Sequence, residues 1–169
     1  MKNSRRFIGL IVLTALIFCF TAVLFSCEKE SEINIDLNAL SDVIGEKIDL
    51  TNTVPYSSDK IRNDFGITEE ETVQIVALKE ADVNSAEILI LIEAKDKESV
   101  GEIETKLKSY KTYKLNELKD YTANPDNENQ YYIVEDSEMM IEQQYIFWAV
   151  NEQNKEINDI ISEYIKNNK

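Results

Sequence analysis

Few residues in this chain have the type and spacing that chemistry needs, and the first of them is Cys27. A short basic start (Lys2, Arg5, Arg6) leads into an uncharged, largely apolar run from Phe7 to Phe25. Ser26, Cys27 and the charged Glu28-Lys29-Glu30 come next. A basic start, an apolar middle and a small residue before a break is the pattern of a secretory signal. Leu24-Phe25-Ser26-Cys27 has the spacing of a bacterial lipobox, with Leu24 at −3 and Ser26 at −1, although Phe25 at −2 is bulky. The Cys27 thiol is therefore predicted to carry lipid of the palmitate kind. Cys19 is a poor alternative because the large Phe18 precedes it. The other way to use the same run is as an uncleaved helix. Residues 7–25 rise about 28 Å at 1.5 Å each, close to the hydrocarbon thickness of a bilayer. Both readings keep the basic start inside and hold the remainder of the chain at the outer face of the cytoplasmic membrane.

Three further groups of residues have types that could do chemistry. Counting from Asn124, Asp126, Glu128 and Glu135 fall at the third, fifth and twelfth positions of a calcium-binding loop. Against this, Asn129 stands where the sharp turn needs glycine, Pro125 is second, and Tyr131 to Val134 favours a strand where a helix should begin. An acidic surface loop is the simpler expectation. Glu87 and Glu93 flank the most apolar strand, and paired carboxylates about 5–10 Å apart can hydrolyse glycosides. With 32 acids in the chain such a pair has no specificity, so solvated strand ends are the better expectation. The aromatics Tyr110, Tyr113, Tyr121, Tyr131, Tyr132, Tyr145, Phe147 and Trp148 suit a recognition face, but equally suit cross-strand packing. Trp148, in an apolar strand, is expected in the core. If Tyr131-Tyr132 lie in a strand they point to opposite faces, leaving one exposed.

Missing residue types narrow the field further. The chain has no histidine, which removes the commonest general base and most zinc sites. Cys19 and Cys27 are its only cysteines, so nothing after Cys27 can supply a thiol nucleophile, a disulfide or a thiolate metal site. Four glycines leave no room for a phosphate-cradling loop or a nucleophile elbow. No catalytic residue, cofactor or metal site is predicted. Three of the 18 cations precede Cys27 and no acid does, leaving 15 cations against 32 acids, a net charge of −17, in the remainder. Such a surface repels nucleic acid and anionic lipid headgroups.

The elements that would position these residues can be read from periodicity. Residues 28–36 read as a short polar tether and 37–169 as one domain. Leu37, Leu40, Val43, Ile44 and Ile48 recur at helical spacing, with Asp36 or Asn38 as cap. Thr51 to Ser58 reads as a connection containing Pro55. Ser58 to Phe65 is a short helix stopped at Gly66, and Thr68-Glu69-Glu70-Glu71 has capping-box spacing. Val73 to Leu78 and Ala86 to Ala94 are predicted as a hairpin turned at Ala81 to Ser85. Within it, Ile88-Leu89-Ile90-Leu91-Ile92 indicates a strand that is central or covered on both faces. Lys97 to about Leu118 returns to helical spacing. Tyr131 to Val134 and Tyr145 to Val150 read as two more strands around a polar turn, and Asn154 to Ile165 as a closing helix. The order is α-α-β-β-α-β-β-α, an α+β domain with a four-stranded, mainly antiparallel sheet and helices packed against it.

This layout resembles small Gram-positive lipoproteins of the family called domain of unknown function 4358. The resemblance rests on Ala86-Glu87-Ile88 opening the central strand and on the Ala94-Lys95-Asp96 exit into the long helix. It continues through Leu118 to Tyr121 with a proline soon after, then a strand pair and a final helix, covering roughly residues 36 to 167. Where the family pattern would place a glycine before the last strand, this chain has Glu142-Gln143-Gln144. The resemblance implies secretion and lipid anchoring, and it carries over no functional residues. The expected function is a non-enzymatic interaction module of the cell envelope, tethered by lipid or helix. Its partner would be another envelope protein or wall polymer. A solute- or calcium-binding lipoprotein is the alternative.

Overall fold

The computed structural model describes residues 33–119 and 125–168, with the side chains of 125–128 left out. Residues from Ile33 onward belong to one compact unit. The chain runs α1 (Leu37–Lys47), β1 (Thr53–Pro55), α2 (Ser58–Phe65), β2 (Thr72–Glu80), β3 (Ile88–Ala94), α3 (Lys97–Lys119), α4 (Pro125–Glu135), β4 (Met139–Glu142), β5 (Tyr145–Val150) and α5 (Asn154–Asn167). The strands form one five-stranded sheet, every neighbouring pair antiparallel, in the order β1-β2-β3-β5-β4.

β3 is central because its side chains are apolar on both faces. Ile88, Ile90 and Ile92 point to one core, shared with Ile61 and Phe65 of α2, Val100, Ile103 and Leu107 of α3, and Ile133 and Val134 of α4. Leu89 and Leu91 point to the other, shared with Leu37, Leu40 and Ile44 of α1 and Ile157, Ile160 and Ile161 of α5. β5 alternates in the same sense: Ile146 and Trp148 join the first core, and Tyr145 and Phe147 the second. Period-two alternation thus places a helical layer on each side of the sheet. The register sets Ile90 opposite Trp148 and Leu91 opposite Phe147.

Three expectations are corrected. The sheet has five strands rather than four, because Thr53–Pro55, expected within a connection, pairs with β2. Tyr131 to Val134 is not a strand but lies in α4. The partner of β5 is instead Met139–Glu142, a stretch whose polar surroundings suggest only a turn. Local β-propensity at Tyr131-Tyr132-Ile133-Val134 is overridden because α4 buries Ile133 and Val134 together on its inner side. Pro125 opens that helix, a position where its missing N–H costs nothing.

The β4–β5 turn shows what stands in for the glycine. Gln143 has φ 54°, the left-handed region that glycine enters freely and other residues do not. Its side-chain Oε1 accepts the Ile33 N–H at 3.2 Å, a contact glycine could not make. Ile33 and Ile35 fall in the stretch expected to be tether, yet both are buried, and the Ile35 N–H donates to the Tyr145 hydroxyl at 3.0 Å. Asp36 then caps α1, accepting from the N–H groups of Asn38 and Ala39.

Candidate functional site

With both faces of the sheet covered, open ground lies at its edges. A cleft of about 430 Å³ lies between α2, the turn before β2 and the first half of β2. Its floor is Ile61, Ile67 and Ile75, and its rim carries Asp59, Arg62, Glu69 and Glu70.

Each wall has a local cause. Ser57 caps α2 by accepting the Lys60 N–H at 3.3 Å, and Gly66 ends the helix at φ 71°. The next residue, Ile67, turns inward and is buried. The Thr68-to-Glu71 spacing then works as half of a capping box. Glu71 Oε2 accepts the Thr68 N–H at 2.9 Å and the Thr68 hydroxyl at 3.0 Å. Lys106 of α3 pairs with the other oxygen of the same carboxylate. Burial pushes Glu71 upward, but the hydrogen bonds from Lys106 and Thr68 outweigh it and hold the carboxyl below its ordinary value. The far side is tied down by Lys95, whose N–H donates to the Glu71 carbonyl and whose Nζ donates to the Glu70 carbonyl, both at 2.9 Å.

The β2 edge along this cleft is open for a reason that ladder geometry supplies. Successive residues of an antiparallel strand direct their N–H and C=O alternately to one side and the other. The Ala77 carbonyl accepts from Tyr56 N–H at 2.8 Å, and Ala81 N–H donates to Asn52, so odd-numbered residues face the β1 side. Glu80 N–H donates to Glu87 on the β3 side. β1 pairs only with Leu78 to Glu80, since it is three residues long, ends on Pro55 and turns away into α2. Ile75 thus presents its N–H and C=O to the cleft, and no β-strand among the described residues pairs with it there. Beyond it, at the irregularity between Thr72 and Gln74, Val73 is 58% exposed.

The residues singled out from sequence do not converge on this cleft. Glu87 and Glu93 sit at opposite ends of β3, six residues and about 20 Å apart at strand rise, too far to act as a pair. Glu93 accepts from Gln74 at 3.0 Å and Glu87 from Asn151 at 2.6 Å. Burial raises the Glu87 carboxyl above its ordinary value, the Glu80 charge adds to this, Asn151 opposes it and Glu152 adds again. A raised folded pKa makes ionised Glu87 a cost. That cost is absent below the ordinary carboxylate range and grows as pH rises through the folded value. Glu87→Gln is therefore expected to raise the melting temperature at neutral pH and to lose that advantage in acid. An advantage of equal size at both pH values would contradict the assignment.

The calcium-loop spacing is not realised as a loop, because the backbone is helical from Pro125 through Glu135. Asn124 and the side chains of Asp126 and Glu128 lie outside the described residues, and Glu135 accepts the Tyr131 hydroxyl at 3.1 Å. Among the described residues no group of three or more Cys, Asp or Glu could hold a metal ion.

The aromatics divide. Tyr145, Phe147 and Trp148 are fully buried. Tyr56, Phe65, Tyr110 and Trp148 form a run of ring contacts at 5.3, 4.6 and 6.2 Å that locks α2 and α3 to the sheet. Tyr113 and Tyr132 are exposed, while Tyr121 lies outside the described residues. Cys27 and the run from Phe7 to Phe25 lie outside them too. No helix among the described residues is long and apolar enough to cross a membrane.

The parts of the cleft are legible in the sequence, but the cleft itself is not. Ser57, Gly66 and the Thr68–Glu71 spacing each carry a local signal, whereas the open edge exists only because β1 pairs briefly and stops. A family model described as a domain of unknown function (DUF4358) matches residues 46–167. No curated protein and no solved structure matches the chain.

Proposed function

Since the chain belongs to the DUF4358 family, a premise that names no chemistry, we propose from its own residues that it is an envelope interaction module. It is lipid-anchored at Cys27, faces outward from the cytoplasmic membrane, and recognises its partner along the open β2 edge. The observation that carries this reading is a strand edge that pairs with no other strand among the described residues, beside a cleft floored by Ile61, Ile67 and Ile75. The walls are held by Glu71 and Lys106, so the surface is pre-organised, which lowers the cost of binding. Only Glu28 to Glu32 separate Cys27 in sequence from Ile33, which is buried.

Two measurements test it. Mass spectrometry of the membrane fraction is expected to find Cys27 acylated at a new N-terminus, and Cys27→Ser is expected to keep the leader and lose the lipid. Full-length, unmodified protein in the cytosol would overturn the anchor. Crosslinking in intact cells, with photoreactive residues set singly around the domain surface, is expected to recover the same envelope partner repeatedly. Recovery of none from any position would overturn the module.

A further inference from the structure

We infer that the β2 cleft receives an extended peptide by strand addition, and that the peptide presents an apolar side chain next to a basic one. The inference rests on the interaction-module reading and specifies its partner. Three features of the cleft converge on it.

The first is the backbone. Ile75 offers one donor and one acceptor to the open side of β2, and an added strand satisfies both at ladder spacing. Continuation toward β1 is barred because Leu78 to Glu80 are already paired there. The added segment is therefore short and is centred on Ile75.

The second is the floor. Ile61 and Ile67 are buried at 7% and 2% exposure, and Ile75 completes an apolar surface beneath the edge. In a strand laid beside β2, alternate side chains point toward α2 and onto that floor. An apolar residue there covers the part of Ile75 that is still exposed, over a base that Ile61 and Ile67 already close.

The third is charge. Asp59 is engaged by Arg62 at 2.7 Å, whereas neither Glu69 nor Glu70 has a cation within ion-pair distance among the described residues. Both are exposed on the turn that closes the cleft, and the chain beyond Cys27 carries net −17. A lysine or arginine on the incoming peptide meets these carboxylates, while an acidic peptide is repelled. Charge complementarity thus favours a basic extended peptide over a second copy of this acidic chain.

The test uses the purified full-length protein in detergent micelles and three labelled synthetic probes. One is a short peptide alternating lysine with valine. The second has glutamate in place of lysine, and the third is the lysine peptide N-methylated at every second residue, which removes the N–H groups a ladder needs. The lysine peptide is expected to bind at least about tenfold tighter than either twin, as expected for the loss of one good hydrogen bond or charge contact. Glu69→Lys combined with Glu70→Lys is expected to reverse the preference between lysine and glutamate peptides without changing the melting temperature. Equal binding of the N-methylated twin, or an unchanged preference in the charge-reversed variant, would overturn the inference. Displacement of the peptide by soluble wall fragments would also overturn it.

A photo-crosslinking residue in place of Val73, compared with one in place of Tyr132, separates this inference from its premise. Heterologous crosslinks from Val73 are expected. Crosslinks from Tyr132 alone would sink the cleft and leave the module standing, and none from either or any other surface position would sink both. A covalent dimer of the chain through Val73 would assign the edge to a second copy.

Discussion

Replacing Trp148 with alanine is expected to cost about 3–5 kcal/mol of folding stability, the range for removing a large aromatic side chain from a packed core. Trp148 is fully buried on β5, opposite Ile90 of the central strand, with Tyr110 of α3 edge-on at 6.2 Å. Its loss opens a cavity at the point where the sheet meets α3 and α4. The indole is also polar, and its N–H would be costly in an apolar core without a partner. That partner is Ser137, whose Oγ accepts from Nε1 at 3.1 Å and donates to the Val134 carbonyl at 2.7 Å. Lys111 adds a cation at the C-terminal end of α4, donating to the carbonyls of Glu135 and Ser137. Ser137→Ala is expected to cost about 1–3 kcal/mol by leaving the indole N–H unpaired. Urea unfolding measures both, with the midpoint falling at unchanged slope. Total stability of about 5–15 kcal/mol is usual for a domain, so the tryptophan variant should sit close to unfolding. A loss for Trp148→Ala no larger than for Ser137→Ala would show that the ring's packing is not what matters.

The second large effect is expected at a position the sequence placed outside the domain. Ile35→Ala should destabilise by about 2–5 kcal/mol, as for other buried isoleucines. Ile35 has no exposed surface and packs in the core shared by α1 and α5. Its backbone is equally committed, with the N–H on the Tyr145 hydroxyl. Exposed tether residues, by contrast, tolerate substitution within about 0.5 kcal/mol. Asn34→Ala is the control, since Asn34 is exposed between two buried neighbours. Thermal melts of the two variants decide the matter. If Ile35→Ala and Asn34→Ala behave alike, the segment before α1 is a tether after all.

The alternation of Ile33, Asn34, Ile35 and Asp36 is present in the sequence, but four residues are too few for periodicity to separate a docked strand from a polar lead. The same shortness hides β1 and β4, of three and four residues. Neither has a core-facing pattern of its own, and each becomes a strand by pairing with a longer neighbour. Tyr131 to Val134 fails in the opposite direction. It has strong strand formers, yet α4 makes it helical because Gln130 accepts the Ala86 N–H at 2.6 Å while Ile133 and Val134 turn inward. The long, regular elements are legible. α3 and α5 repeat at helical spacing, and five apolar residues in β3 require cover on both sides.

By itself the sequence determined the α+β class and the central place of β3. Those depend on residue type and on patterns long enough to be unambiguous. Tertiary structure alone decided which strand edge stays open and where the cleft lies. That outcome turns on how far β1 runs beside β2 before Pro55 and the turn into α2 carry the chain away. Hydrogen bonds between segments distant in sequence leave no periodic trace in either segment, so the lack of a strand partner for Ile75 on the cleft side, among the described residues, could not be read before the strands were paired.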